Sequence, residues 1–283
     1  MSTNMSLELT KFDMRKIKFQ ENDLNGNTSK GPVIVLIGKR DTGKSVLIKD
    51  ILFHHKNIPI GTVISGTEMG NGFYSEIVPK IFIHHEYNTG IIENVLKRQR
   101  MVLKQNKQLN QQRQDPRTFA ILDDCLYDDK WSRDKLMRLL FMNGRHWKIM
   151  LVISMQYPLG IPPVLRTNID FVFILRENIR KNREKIYDNY AGMFPTFECF
   201  NQIMDKCTEN FECLVIDNTV KSNRLQDQVY WYKANLYGDF KMGSKEFWEL
   251  SKHLKDDDEE MYDSSKIRKK SQGPLINVVK KNN

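Results

Sequence analysis

The run Val33-Ile34-Val35-Leu36-Ile37 leads straight into Gly38-Lys39-Arg40-Asp41-Thr42-Gly43-Lys44-Ser45, and this junction constrains the fold more than any other feature of the chain. Five consecutive apolar residues, four of them β-branched, describe a strand buried on both faces, as in a parallel sheet. Gly38 and Gly43 permit a tight loop whose backbone N–H groups face an anion. Val46, Leu47, Ile48, Ile51 and Leu52 then suit a helix whose N-terminus points at the same place. The pattern predicts that residues 38–45 hold the phosphates of a nucleoside triphosphate, with Lys44 beside the β- and γ-phosphates and the Ser45 hydroxyl as a ligand of Mg2+. The plain alternative is a Gly-rich surface turn followed by a chance Lys-Ser pair.

A second apolar stretch, Thr118-Phe119-Ala120-Ile121-Leu122, ends at Asp123 and Asp124. Ligands of an open α/β sheet gather at the C-terminal ends of its strands, so both carboxylates are candidates for chemistry. Asp123 suits the hydration shell of Mg2+ and Asp124 suits polarisation of the attacking water. An Asp pair after a strand also serves as a turn or helix cap. Further strands are expected at 61–65, around 80–84, at 149–154 and at 171–175, separated mostly by helical segments. The alternation predicts an α/β fold with a mainly parallel sheet, and the segments 211–216 and 229–232 read as an added pair of edge strands. The aromatic residues of that pair are better read as core or edge packing than as base-binding groups.

Lysine and arginine exceed aspartate and glutamate by 44 to 35, a formal charge of +9 that favours a polyanionic partner without specifying one. No apolar run approaches membrane-spanning length, and no secretory apolar region follows the N-terminus, so a soluble intracellular protein is expected. The four cysteines, Cys125, Cys199, Cys207 and Cys213, contain no C-x-x-C spacing and read as reduced core thiols. Residues 1–30 read as an N-terminal arm or edge element, 31–250 as the nucleotide-binding domain, and 251–283, with opposed charge blocks, as a flexible tail.

The segment from Thr89 to Arg113 places Ile92, Val95, Leu96, Val102 and Leu103 on one face of a helix, with Lys97, Arg100, Lys104 and Lys107 on an adjoining one. Such a stripe binds nucleic-acid phosphates, meets an acidic protein, or is simply solvated. Arg180, Lys181, Arg183 and Lys185 form a second basic series that can follow a DNA backbone. Gln156, at the end of the strand 149–154, can contact both the γ-phosphate and the attacking water. Arg145, in Gly144-Arg145-His146-Trp147, is the leading candidate to enter the site of a neighbouring subunit, and Arg176 competes for that role. A helix-terminal surface arginine, or one stacked on Trp147, is the alternative for Arg145.

The combination GKRDTGKS, FAILDDC, NGRHWKIMLVISMQY, IDFVFILRENIRKNREKIY and FECLVIDN resembles the genome-packaging ATPases of large double-stranded DNA viruses of eukaryotes, within the FtsK/HerA group of DNA-pumping motors. The resemblance covers roughly residues 31–232. It implies a P-loop NTPase with a RecA-like sheet, an additional strand in that sheet, and a homo-oligomeric ring. It also implies that ATP turnover drives duplex DNA into a preformed capsid, with a capsid or portal-vertex protein as partner and residence in host viral factories or with the virion. The roles carried over are Mg2+ binding for Asp123, water activation for Asp124, γ-phosphate sensing for Gln156 and action in trans for Arg145. The FtsK/HerA pattern has Glu at the second acidic position, where this chain has the shorter Asp124. A nucleoside or nucleotide kinase and a nonenzymatic P-loop adaptor are the rival readings.

Overall fold

A computed structural model of the protein describes residues 8–20, 30–108, 114–126 and 129–252. The elements in chain order are β1 (Val33–Ile37), α1 (Lys44–His54), β2 (Ile60–Ser65), α2 (Glu68–Asn71), β3 (Ile83–His84), α3 (Thr89–Gln108), β4 (Thr118–Asp123) and α4 (Lys135–Asn143). They continue as β5 (Ile149–Met155), α5 (Pro163–Arg166), β6 (Phe171–Ile174), α6 (Arg180–Tyr190), α7 (Phe197–Cys207), β7 (Glu212–Asp217), α8 (Leu225–Gln228) and β8 (Val229–Lys233). Helical backbone also runs over 245–252. The proposed tail beyond 252 and the end of the basic helix at 109–113 lie outside the described residues.

Among the described residues eight strands form one sheet in the order β3-β2-β4-β5-β1-β6-β7-β8. All pairings from β3 through β6 are parallel, while β7 and β8 are added antiparallel. The sheet is thus α/β and mainly parallel with added edge strands, as the sequence predicts. β5 lies between β1 and β4, so the phosphate loop and the Asp123-Asp124 pair leave the same sheet edge one strand apart. The segment 80–84 contributes less strand than expected: Lys80–Phe82 is a 3-10 turn, and β3 pairs with β2 only through Val63–Ile83 and Ile64–His84.

Both faces of the sheet are covered, which explains the unbroken apolar strands. Val33, Val35 and Ile37 face a core shared with Ile92, Val95 and Leu96 of α3, Phe141 of α4, Ile186 of α6 and Phe200 of α7. Ile34 and Leu36 face the opposite core, built from Leu47, Ile48, Ile51 and Leu52 of α1 together with Phe12, Ile17 and Phe19 of the N-terminal segment. That segment adds a bridge from Lys11 to Trp231 of β8. The buried Arg117 fixes it further by donating from Nη1 to the Phe19 carbonyl at 3.0 Å.

In the added pair, Tyr230 and Tyr232 are buried and Trp231 packs against the core, as predicted. Phe211 departs from the expected pattern. It precedes β7, has φ of +64°, and is 68% exposed. Cys125, Cys207 and Cys213 are buried free thiols, and Cys199 is a half-buried one. Among the described residues no helix is long and apolar enough to cross a membrane.

Candidate nucleotide-binding site

The loop between β1 and α1 is shaped by close approach and by left-handed backbone. A β-carbon on Gly38 would stand 2.7 Å from Thr42 Oγ1 and 2.9 Å from Leu175 Cβ, too close for any other residue without a shift. Gly43 has φ of +96° and Asp41 of +60°, the latter in a region that Asp tolerates better than most residues. Such turns aim successive N–H groups into one concavity. Among the described residues no side chain caps the first turn of α1, which leaves its N–H donors to an anion. Within the loop, Thr42 Oγ1 donates to the Lys39 carbonyl at 2.8 Å, and Lys39 pairs with Glu177 at 2.7 Å. Arg40 is exposed, and Ser45 is half-buried at the start of the helix.

Lys44 is the buried cation of the site. Its Nζ donates to the carbonyls of Gly38 at 2.8 Å and Lys39 at 3.0 Å, and lies 3.5 Å from Asp124 Oδ2. The same Asp124 oxygen accepts from Gln156 Nε2 at 3.0 Å. Three residues from three separate sequence blocks therefore meet at one carboxylate oxygen. Asp124 takes a left-handed backbone, φ +47°, just past the end of β4, and a cleft of about 220 Å3 opens beside Asp124, Gln156 and Tyr157.

Asp123 points elsewhere. It is the last residue of β4, in register with Ser65 and Ser154. Its Oδ2 accepts from Tyr74 Oη at 2.9 Å, and its Oδ1 accepts from Ser154 Oγ. Burial pushes its carboxyl above the ordinary range, against the opposing pull of the Ser154 and Tyr74 bonds. Tyr74 is itself positioned by Glu68, whose two oxygens accept from the N–H groups of Tyr74 and Ser75 at 2.8 Å each. The donor set fits a hydrated divalent cation: a buried carboxylate whose oxygens each keep a lone pair, at the same end of the sheet as the Ser45 hydroxyl in the first turn of α1. Tyr74, Ser154 and Glu177 escaped the sequence reading; only Ser154, a polar residue inside a core strand two positions before Gln156, left any signal.

The two arginines fall at opposite sheet edges. Arg145 precedes β5 at the edge away from the phosphate loop, and its Nη2 pairs with Asp170 Oδ1 at 2.8 Å and donates to the Asn168 carbonyl at 3.2 Å. Asp170 also accepts from the Val33 N–H at 2.8 Å, so the pair pins the start of β1 to the start of β6. Arg176 follows β6 at the loop's own edge, is exposed, and bonds to Asn178 at 3.1 Å.

The basic series separate in the same way. On α3, Lys97, Arg100, Lys104 and Lys107 are exposed, with Lys97 paired to Glu93 at 2.8 Å and Arg100 set 5.3 Å over the Trp147 ring. Arg100, Lys104 and Lys107 join Lys30, His146 and Lys148 around a groove of about 540 Å3 at the edge where β4 and β5 begin. On α6, Lys181 is exposed, whereas Arg180 bonds Glu184 at 3.0 Å and Lys185 bonds Tyr157 at 2.9 Å. Arg183 is committed to Asp205 at 2.6 Å and Asn201 at 2.7 Å. That series stands at the nucleotide end, and three of its four cations bond to neighbouring side chains of the same subunit.

The family model described as Poxvirus A32 protein matches residues 16–232. An uncharacterised protein of Invertebrate iridescent virus 6 is 41% identical over 256 residues, 89% of this chain and 96% of that protein. An uncharacterised protein of Acanthamoeba polyphaga mimivirus is 39% identical over 248 residues, 87% of this chain and 83% of that protein. Among solved structures, the genome packaging NTPase of Sulfolobus turreted icosahedral virus 2 in complex with AMP is similar with a TM-score of 0.51 at 19% identity. That match covers 73% of this chain and 98% of the other. Its complex with AMPPCP gives 0.50 at 18% identity, over 73% and 99%. At this identity the likeness establishes the fold, that of a P-loop NTPase. From the match across most of its length, this chain belongs to the Poxvirus A32 protein family.

Proposed function

We propose that the protein is a Mg2+-dependent ATPase that drives viral double-stranded DNA into a preformed capsid, working as a homo-oligomeric ring with composite sites between subunits. The observation that carries the reading is the meeting of Lys44, Asp124 and Gln156 at a single carboxylate oxygen, at the C-terminal edge of β1, β4 and β5. Family membership and the genome packaging role of the structural neighbours support the biological setting.

In this reading the uncapped first turn of α1 and the Lys44 ammonium bind the phosphate chain, Lys44 exchanging its loop carbonyls for phosphate oxygens. Ser45 and Asp123 would hold Mg2+, which would offset negative charge on those oxygens. Asp124 and Gln156 orient a water in the adjoining cleft. As its oxygen bonds the γ-phosphorus, the water's proton passes to Asp124, and the bond to the β–γ bridging oxygen breaks with its electron pair left on ADP. Asp124 is one methylene shorter than Glu, and its left-handed backbone carries the carboxylate towards Lys44. We assign completion of a neighbour's site to Arg176 rather than Arg145, since Arg145 is engaged with Asp170 at the far edge. The groove around Arg100, Lys104 and Lys107 takes the DNA backbone.

The test is ATP hydrolysis against protein concentration, with and without long duplex DNA, for the wild type and for Lys44→Ala mixed with Arg176→Ala. DNA stimulation and partial recovery in the mixture are expected. Nucleoside-dependent consumption of ATP would instead identify a kinase, and ATP binding without hydrolysis in the assembled, DNA-bound state would identify an adaptor.

A further inference from the structure

We infer that Phe211 is the platform on which the base of the bound nucleotide stacks, a role that rests on the nucleotide-hydrolysing reading above. Phe211 sits in the turn Glu209-Asn210-Phe211-Glu212, closed by the Glu212 N–H donating to the Glu209 carbonyl at 2.8 Å. Asn210 has φ of +50° and Phe211 of +64°, so both central residues are left-handed. This is the turn geometry in which Asn-Gly is the favoured pair, and a bulky aromatic in place of the glycine is disfavoured.

Among the described residues no core packing repays that strain. Phe211 is 68% exposed and belongs to neither hydrophobic core. A residue held in a disfavoured conformation without a packing role points to a function at that position. Its location supplies one. Because β7 runs antiparallel to β6, its N-terminal end arrives at the sheet edge where β1 and β6 end. There Phe211 reaches the phosphate loop: a β-carbon on Gly43 would stand 3.4 Å from Phe211 Cδ1, with Leu175 as the next side chain at 3.9 Å. Gly43 is the N-cap of α1, so a nucleotide whose phosphates lie on that helix would extend its ribose and base past this ring. Beside the same turn, a polar cavity of about 390 Å3 is bounded by Arg176, Asn178 and Thr208. An exposed aromatic face at the mouth of such a site binds any base by stacking, with little discrimination among them.

The experiment compares the affinities of the full-length protein for ATP and for inorganic tripolyphosphate, which carries the phosphates without a base. Phe211→Ala should weaken ATP by about 5- to 150-fold, the range for loss of one stacked base, and leave tripolyphosphate unchanged. Phe211→Trp should restore ATP binding, with a fluorescence change on ATP that tripolyphosphate does not produce. Phe211→Gly, which suits the turn, should melt at or above the wild-type temperature while binding ATP as weakly as the alanine variant. An unchanged ATP affinity in Phe211→Ala, or equal weakening of both ligands, overturns the platform alone. Failure of the wild type to bind either ligand overturns the nucleotide site on which it rests.

Discussion

Tyr74→Phe removes one oxygen from the site and tests whether Asp123 is held by its neighbours or merely lies near them. The hydroxyl donates to a buried carboxylate at 2.9 Å, and a hydrogen bond to a charged acceptor contributes about 1.5–3 kcal/mol. Taking about 2 kcal/mol, and roughly 2–4 °C of melting temperature per kcal/mol for a domain of this size, the variant should melt about 4–8 °C lower near neutral pH. The pH dependence has a definite sign. Burial already raises the Asp123 carboxyl above its ordinary value of 3.8, and the Tyr74 bond lowers it; deleting the bond raises it further. For a group with a raised folded value, the contribution to stability is present at low pH and is lost as pH rises through that value. The melting difference should therefore widen as pH rises from the wild-type Asp123 value, itself above 3.8, to the higher value of the variant, and stay constant on either side of that window. If ionised Asp123 is needed for turnover, the acid limb of the ATPase profile moves to higher pH in the same variant. Calorimetry across the pH range, paired with steady-state hydrolysis, reads both effects. An unaltered melting curve together with an unmoved acid limb would refute the positioning of Asp123 by Tyr74.

Two further outcomes follow from the same geometry. Asp124→Asn keeps the contact with Gln156 feasible but removes the proton acceptor, so turnover should drop by about 10²–10⁴-fold with ATP binding retained, as read by parallel hydrolysis and equilibrium-binding assays. Arg145→Ala leaves the Asp170 carboxylate without its cation and should cost about 1–3 kcal/mol, discounted towards the lower end because the pair is partly exposed. Adding Asp170→Asn should recover most of that loss in thermal melts, whereas a role for Arg145 confined to a neighbour's site predicts no change in the melting temperature of the isolated subunit.

Local chemistry was enough to read the phosphate strand, its loop and its helix, because each is specified by residues adjacent in the chain. The Asp123-Asp124 pair and Gln156 were legible too, as polar residues at the ends of apolar strands. What periodicity does not encode is which strands become neighbours. Only the insertion of β5 between β1 and β4 brings Gln156 to Asp124 and Ser154 to Asp123. Tyr74 lies in an irregular segment after α2 and reaches Asp123 through tertiary packing. The sequence makes Arg145 a candidate to enter a neighbouring subunit's site, and Asp170, its partner within the subunit, carries no sequence sign of that pairing. Phe211 follows the alternation of the strand after it, yet the turn begins before the strand does, so its side chain is left at the surface.

The central strand β5 has a mechanical consequence. It starts one residue after Lys148, in the basic groove, and ends one residue before Gln156, at the nucleotide edge. Its seven residues span about 23 Å at roughly 3.3 Å each, all buried, with parallel neighbours on both sides. Sliding by one position would turn every side chain to the wrong face, so the strand behaves as an inextensible strut. A push at Gln156 can then reach the groove only by swinging the whole sheet as one body, and a tilt of about 5° over that length carries the far end about 2 Å. In the ring proposed above, force generation would therefore belong to the seams between copies, with the interior of each subunit as the lever arm.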